Sequence, residues 1–264
     1  MRKYLYIYKT SLLEHINYAK GIFMSFIGNI IHIFIFFALW KYLYSSGQEE
    51  IINGYTLIQM LWYVTFTEFI TGFTSSSILR KGPSEEIVSG NIAYTINKPY
   101  NYTLYVFSRF FAESTVRTII NLTSSLLVGL VFVGSLKSFD IVYLPLMVIS
   151  SILGVIIAGL LRLLISYTSF WVENVEPFQW LYKTFLVIFG VTFPVNMFPD
   201  FIANIIKISP IYAAISGPCS MIVNFNINEY KYLIIAQILY VIILGALTIF
   251  VFKKGANKLN VNGG

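Results

Sequence analysis

Residues 79–105, LRKGPSEEIVSGNIAYTINKPYNYTLY, form the longest polar interval before residue 199. The stretches on both sides are apolar and about as long as a lipid bilayer is thick. Gly82-Pro83 is predicted to break the helix that enters the interval, because proline has no backbone N–H and restricts the residue before it. Gly90 is the predicted stop of a short helix, and Asn97-Lys98-Pro99 is predicted to form a turn. The pattern predicts a polar loop between two membrane-spanning helices.

The short helix inside this loop is the first candidate functional element. Ser84 is predicted to cap its N-terminus, and Glu85 and Glu86 carry the charge that the first turn of a helix favours. Ile87 and Val88 are its apolar contact residues. The loop is either a solvated connector or a surface that contacts another protein through these five residues.

The composition indicates an integral membrane protein. Of the 264 residues, 57% are hydrophobic and 11% are charged, whereas about 25% is charged in soluble domains. Cys219 is the one cysteine, which excludes an internal disulfide and a cysteine-based metal cluster. The net charge is +6, but its distribution matters more than its sum in a membrane protein, and we expect no nucleic-acid partner.

Six apolar stretches are each near the roughly 20 residues that a helix needs to cross the hydrocarbon. They lie at 21–43, 55–76, 110–135, 141–169, 180–198 and 230–252. With the N-terminus inside, only Lys41, Lys137, Lys207 and Lys231 of the 18 lysines and arginines fall outside. The positive-inside rule then places both termini and the loop 79–103 in the cytoplasm. We expect a multi-pass protein of the cell (plasma or inner) membrane.

Two further helical segments are predicted at the membrane surfaces. Residues 1–20 repeat apolar side chains at helical spacing, which predicts an amphipathic interfacial helix whose basic residues lie near anionic membrane lipid. Residues 199–229 are too long for a simple turn, and each of their apolar pieces is too short to cross. They predict a helical hairpin dipping into the outer leaflet, with an ordinary outer loop as the alternative. The prolines of this segment and its approach are Pro194, Pro199, Pro210 and Pro218.

Polar side chains inside the predicted spans are further candidates, because each is costly in lipid and usually faces protein or a cavity. The main ones are Asn29, His32, Glu68, Arg117 and Arg162. Glu68 should lie at a depth similar to Arg117 and Arg162, so either arginine is a candidate partner, and a structural pair is favoured over a proton carrier. A ladder of charged residues at i, i+4 and i+8 starts at Arg109. His32 is expected to be a packing residue rather than a metal ligand.

Three stretches resemble the type-2 ABC exporter permeases, in a bacterial branch with six-helix subunits. Residues 86–102, EIVSGNIAYTINKPYNY, are similar to the family's loop. FPVNMFPD at 193–200, with ISPIY at 208–212 after it, resembles the proline-rich segment before the last helix. The tail 252–264, FKKGANKLNVNGG, resembles the basic, glycine-ended tail of this branch, although Leu259 stands at a usual aromatic position. The resemblance spans the whole chain.

The resemblance implies one all-α permease domain over 1–264, with 79–103 as a cytoplasmic coupling loop. It implies export by alternating access, driven by separate ABC ATPase subunits that bind ATP and Mg²⁺, and a second permease copy or a sister permease. This chain lacks the Gly-x-x-x-x-Gly-Lys-Ser/Thr loop and is not expected to be an enzyme. The substrate stays open among drugs, antimicrobial peptides, lipids and glycolipids. The alternatives are a membrane-embedded lipid-acting enzyme and a non-transporting, substrate-capturing membrane subunit.

Overall fold

The computed structural model describes residues 2–47, 50–74, 76–136 and 138–262, and these are helical almost throughout. The all-α prediction is therefore confirmed. Lys137, counted above among the outer lysines, and the last two residues of the tail lie outside the described residues. A two-residue antiparallel strand pair, Ile51–Ile52 with Tyr55–Thr56, precedes the helix Leu57–Thr74.

The elements in chain order are α1 (Arg2–Ile16), α2 (Ala19–Gly47), β1 (Ile51–Ile52), β2 (Tyr55–Thr56), α3 (Leu57–Thr74), α4 (Ser77–Val88), α5 (Ile92–Ile96), α6 (Tyr102–Val128), α7 (Leu144–Tyr167), α8 (Glu176–Leu186), α9 (Asp200–Ile208), α10 (Gly217–Val223) and α11 (Ile227–Asn262). Single π turns continue α6 and α8 and precede α10, at Gly129–Val133, Val187–Thr192 and Tyr212–Ser216. Short 3₁₀ turns lie at Ile141–Tyr143, Thr168–Phe170 and Val195–Met197.

Four helical segments of the described chain are long and apolar enough to cross a membrane. They are Lys20–Gly47, Tyr102–Val133, Ile141–Phe170 and Ile227–Lys258. A fifth arises if α9 and the helical segment Tyr212–Val223, which are bent by 80° at a short break, form one broken span. The helices in the predicted spans 55–76 and 180–198 are shorter, with 18 residues in α3 and 11 in α8. The count of six spans stays a prediction.

The prolines around residues 199–229 shape the approach to α11. Pro210 lies at the 80° bend, and Pro199 immediately precedes α9. Pro194 precedes a 3₁₀ turn, whereas Pro218 lies in the first turn of α10, where its missing N–H is tolerated. Two bent helical arms are what the hairpin prediction requires, and their depth in the outer leaflet stays a prediction.

The fourth predicted span packs closely against these arms. A Cβ atom at Gly154 of α7 would collide with the backbone carbonyl oxygen of Ala214, so only glycine permits this approach. Gly159 lies against the ring of Phe110 in α6. These two glycines therefore let α7 pack closely against its neighbours.

α4 is continuous across Pro83, so the break predicted at Gly82-Pro83 is wrong. A proline inside a helix leaves the carbonyl four residues earlier without its usual donor. Here that carbonyl belongs to Leu79, and the hydroxyl of Ser166 in α7 donates to it at 2.5 Å. The neighbouring helix therefore supplies the hydrogen bond that the proline removes.

The ends of α4 also differ in part from the prediction. The N-terminal cap is Ser76, whose side chain accepts from the backbone N–H of Leu79. Ser84, the predicted cap, lies in mid-helix and donates its hydroxyl to the carbonyl of Lys81. Gly90 follows the C-terminus with a φ of 76°, so the predicted glycine stop is confirmed.

α1 packs along α6 and touches the end of the polar loop. Tyr8 shares a hydrogen bond with Thr115 of α6, and Lys3 donates to the carbonyl of Pro99. The hydroxyl of Tyr4 accepts from the backbone N–H of Asn101. Residues 2–16 are thus helical as expected, and their position at the membrane interface stays a prediction.

Candidate functional site

Glu113 of α6 holds the N-terminus of α4. Its carboxylate is almost fully buried and accepts hydrogen bonds from the backbone N–H groups of Ser77 and Ile78, at 3.0 and 3.2 Å. The hydroxyls of Ser76 and Ser77 donate to the same carboxylate at 2.5 and 2.7 Å. The first N–H groups of a helix have no intrahelical partner and favour a negative charge. α4 is therefore fastened to α6 by this carboxylate.

Arg117 completes this group one helical turn further along α6. Its Nε and Nη2 atoms donate to one Glu113 oxygen at 3.1 and 3.0 Å. The charge ladder read from the sequence thus contains a real i, i+4 ion pair. Arg117 forms its ion pair with Glu113, so the predicted pairing of Arg117 with Glu68 is wrong. We call Glu113, Arg117, Ser76, Ser77 and Ser166 the α4 clamp.

Glu68 of α3 pairs with a different residue. Its carboxylate lies 2.7 Å from Nδ1 of His32 in α2, so the prediction that either arginine neutralises it is wrong for Arg162 as well. His32 has a specific polar partner, and the described residues contain no group of three or more metal-ligand side chains. The sequence placed Glu68 by depth only, whereas the rotation of α2 and α3 decides which side chain meets it.

A polar groove surrounds this pair between α2, α3 and α6. Its volume is about 320 Å³, and its walls include Asn29, His32, Glu68, Arg117 and Asn121. Asn29 donates to the hydroxyl of Ser124 at 2.5 Å, and the Asn121 amide donates to the backbone carbonyl of Glu68 at 3.1 Å. Four of the five predicted intramembrane polar residues therefore line one groove.

Arg162, the fifth of these residues, does not line the polar groove. It is 5% exposed, and its guanidinium lies over the ring of Tyr182, 5.4 Å from the ring centre. It lines a separate cavity of about 430 Å³ between the start of α4, α7 and α8. No salt bridge to Arg162 occurs within the described residues.

The predicted contact residues of α4 divide between its two faces. Ile87 is only 5% exposed and packs in an apolar cluster with Leu79 and Ile92, so it is wrong as an external anchor. Glu86 is tied inward, because the hydroxyl of Tyr102 donates to its carboxylate at 2.9 Å. Val88 is 53% exposed. Ser84 and Ile87 are therefore buried and Glu86 is held inward, whereas Glu85 and Val88 lie on the exposed face of α4.

A groove lies along the exposed face of α4. The helix contributes Lys81, Ser84, Glu85, Val88 and Ser89, which with residues 173–176 enclose about 370 Å³. The four lining residues 173–176 are Glu173, Asn174, Val175 and Glu176, which precede or begin α8. Carboxylates outnumber cations in this lining, three to one. We call it the α4 groove.

Sequence reasoning missed the second wall of the α4 groove. The segment 173–176 is short, and its signal was two glutamates between two apolar stretches. Nothing in its spacing indicated that it would lie beside α4. Segment 173–176 lies beside α4 because Ser166 donates to Leu79 and Gln179 donates to Ser166, which joins α4, α7 and α8.

A family model describing ABC-2 family transporter proteins matches residues 16–263 of this chain. A search of curated proteins found no match. The matched range covers α2 to α11 and therefore contains the α4 clamp, the α4 groove and the polar groove. The apolar helices and the family match together describe a multi-pass membrane protein of the permease type. The chain belongs to the ABC-2 family of transporter proteins.

Proposed function

We propose that this chain is the permease subunit of an ABC exporter, which moves its substrate out of the cytoplasm by alternating access. A separate ATPase subunit binds ATP and Mg²⁺ and supplies the energy. The chain itself is a transport subunit and not an enzyme. Membership of the ABC-2 family and the apolar helices support the permease role. The exporter direction and the ATPase coupling are the parts proposed here.

The observation that carries the proposal is the rigid connection from the α4 groove to the spanning helices. Glu113 fastens the start of α4 to α6, and Ser166 of α7 donates to Leu79 in the first turn of α4. Tyr102, at the start of α6, holds Glu86 near the end of α4. We therefore expect a displacement of α4 to move α6 and α7 with it, because side-chain hydrogen bonds join α4 directly to both helices.

The α4 groove fits an ATPase subunit better than it fits lipid headgroups. Anionic lipids repel its three carboxylates, whereas a basic rim on a protein partner would complement them. Val88 supplies an exposed apolar side chain at the groove wall, as helix-in-groove contacts require. The contact set proposed here is Lys81, Glu85, Val88 and the segment 173–176.

A second permease copy, or a sister permease, is proposed to cover the polar groove. The side chain of His32 is 49% exposed within the span Lys20–Gly47, where lipid contact is costly for a polar group. A partner subunit or an aqueous path between subunits removes that cost. We propose cytoplasmic termini, a location in the cell membrane, and substrate exit past residues 199–229.

Val88→Glu tests the ATPase contact. The permease is co-expressed with an ATPase chain that carries the Gly-x-x-x-x-Gly-Lys-Ser/Thr loop, and the ATPase recovered on purification is measured. We expect about a tenfold or greater loss, because a charge enters an apolar contact. Tyr94→Glu is the matched control, since Tyr94 is exposed on α5 and lies outside the α4 groove.

Ile87→Glu separates the contact from the fold. It places a charge in the buried cluster of α4, so we expect loss of the permease itself from the membrane fraction. Val88→Glu should leave the permease level normal. Full ATPase recovery with Val88→Glu would contradict the proposed contact, and full recovery with both variants would make α4 a connector only.

A further inference from the structure

Arg162 is a buried cation that forms no salt bridge with any residue in the described part of the chain. Its Nε atom is buried without a hydrogen-bond partner among the described residues, and its guanidinium lies over the ring of Tyr182. Burying a charge costs several kcal/mol unless it is paired and hydrogen-bonded. The buried Nε donor of Arg162 therefore has room for an acceptor from a ligand in the adjoining cavity.

The cavity beside Arg162 carries a positive excess. Its volume is about 430 Å³, and its charged lining residues are Arg80, Arg162, Lys183 and Glu176. Glu176 lies 3.8 Å from Arg80, so this carboxylate is already shared with a cation. Arg162 and Lys183 face the cavity without a carboxylate of their own. A ligand with one or two negative charges would balance them.

The cavity lies near the end of α7 that the proposed orientation places at the cytoplasmic membrane interface. Arg162 lies eight residues before the end of the helical segment Ile141–Phe170, about 12 Å at 1.5 Å per residue. Trp180 lines the cavity and is strongly exposed. Tryptophan is enriched where the hydrocarbon meets the headgroups. With α4 in the cytoplasm, as proposed above, this level is that of the inner-leaflet headgroups.

We propose that this cavity binds the phosphate group of an anionic phospholipid from the cytoplasmic leaflet. The planar guanidinium of Arg162 matches two phosphate oxygens, and the ammonium of Lys183 supplies a second point charge. Trp180 packs against the glycerol and upper acyl chain at the mouth of the cavity. The assignment rests on the proposed orientation of the chain but not on its export activity. A free phosphate ion shares the same chemistry and is the other source of the ligand.

The test is lipid-dependent thermal unfolding of the full-length permease, purified in neutral detergent and stripped of lipid. Phosphatidylglycerol, phosphatidylcholine and inorganic phosphate are added separately, and the melting temperature is followed against concentration. We expect phosphatidylglycerol to raise the melting temperature, and phosphatidylcholine and inorganic phosphate at equal concentration to leave it nearly unchanged. Lys183→Met should raise the half-saturating lipid concentration about tenfold or more, the loss expected for one charge-assisted hydrogen bond.

Two further variants make the result specific to the cavity. Lys253→Met removes an exposed cation at the cytoplasmic end of α11, outside the cavity, and should keep the wild-type response. Arg162→Met should abolish the response, and in lipid-free protein it should melt no lower than wild type, because an unbalanced buried charge has been replaced by an apolar side chain.

Three outcomes would overturn the proposal. Equal stabilisation by phosphatidylcholine would show that the lipid charge is irrelevant. An unchanged response of Lys183→Met and Arg162→Met would place the lipid elsewhere. Full stabilisation by inorganic phosphate would identify an ion site instead of a lipid site. None of these results bears on ATPase recovery, so failure here and failure of the proposed function are distinguishable.

Discussion

The α4 clamp and the polar groove each contain a buried carboxylate, and the two are surrounded differently. Glu113 accepts from two backbone N–H groups, two serine hydroxyls and Arg117. Glu68 has His32 as its side-chain partner, and both face a groove of about 320 Å³. A carboxylate with every oxygen lone pair engaged fixes two helices together. A carboxylate with one neutralisable partner and open space beside it can exchange that partner during a conformational change.

Glu113→Ala should have the largest effect on stability. It leaves Arg117 without its carboxylate and removes the acceptor of the first N–H groups of α4. We expect a loss of about 3 kcal/mol in the free energy of unfolding, because the N–H and hydroxyl groups that Glu113 binds lose their acceptor, whereas Arg117 is partly exposed and remains partly solvated. Thermal unfolding in detergent measures it.

Two comparison variants sharpen this result. Glu113→Gln keeps an acceptor for α4 and should cost less than Glu113→Ala. Glu14→Ala removes an exposed carboxylate from α1 and should have little effect. If Glu113→Ala melts like Glu14→Ala, the α4 clamp does not hold α4. The proposed contrast between a fixed carboxylate in the clamp and an exchangeable one in the polar groove would then be wrong.

Ser166→Ala should have an intermediate effect. It removes the donor to the Leu79 carbonyl, which Pro83 has already deprived of its helical partner. A buried carbonyl left unpaired costs about 1–3 kcal/mol. The same measurement in the Pro83→Ala background provides the control, because alanine restores an N–H to this position. We expect Pro83→Ala to rescue most of the loss, and equal losses in both backgrounds would contradict this account of the continuous helix.

The sequence predicts the elements of this fold better than their contacts. Four of the six predicted spans coincide with long apolar helices of the described chain, and the Glu113–Arg117 pair follows from a spacing of four within one helix. The continuity of α4 could not be predicted, because the compensating serine stands 87 positions from the carbonyl it serves. Local chemistry favoured a break at Pro83, and a tertiary hydrogen bond reversed it.

The same limit explains the errors in the candidate sites. Ile87 and Val88 are adjacent apolar residues, and the sequence gives no reason to treat them differently. The rotation of α4 about its axis buries the first and exposes the second, and the Ser76 cap fixes that rotation. Glu68 was paired by depth with arginines, although the rotations of α2 and α3 bring His32 to it. Rotation depends on packing between helices, which a single sequence does not display.

Glu68→Ala should have the smallest effect of the three on stability. His32 can remain neutral when its partner is lost, so we expect about 0.5–1.5 kcal/mol, the net value of one hydrogen bond. This loss in the free energy of unfolding is smaller than the loss expected if Glu68 were paired with an arginine, because the arginine would stay charged. A loss equal to that of Glu113→Ala would show that the pair is structural, and the contrast between the regions would fail.

Transport measurements test whether Glu68 in the polar groove has a role beyond its pairing with His32. If Glu68→Ala melts nearly like wild type but transports poorly in a complex with normal ATPase recovery, the carboxylate acts on the cargo, on a proton or on the partner subunit. Glu68→Gln then separates charge from hydrogen bonding, since the amide keeps an acceptor for His32 and lacks the charge. Restored transport in Glu68→Gln would mean that the hydrogen bond across α2 and α3 is what the moving helices need. Continued loss would assign the role to the negative charge itself, because the amide preserves the shape and the contact but not the field in the groove.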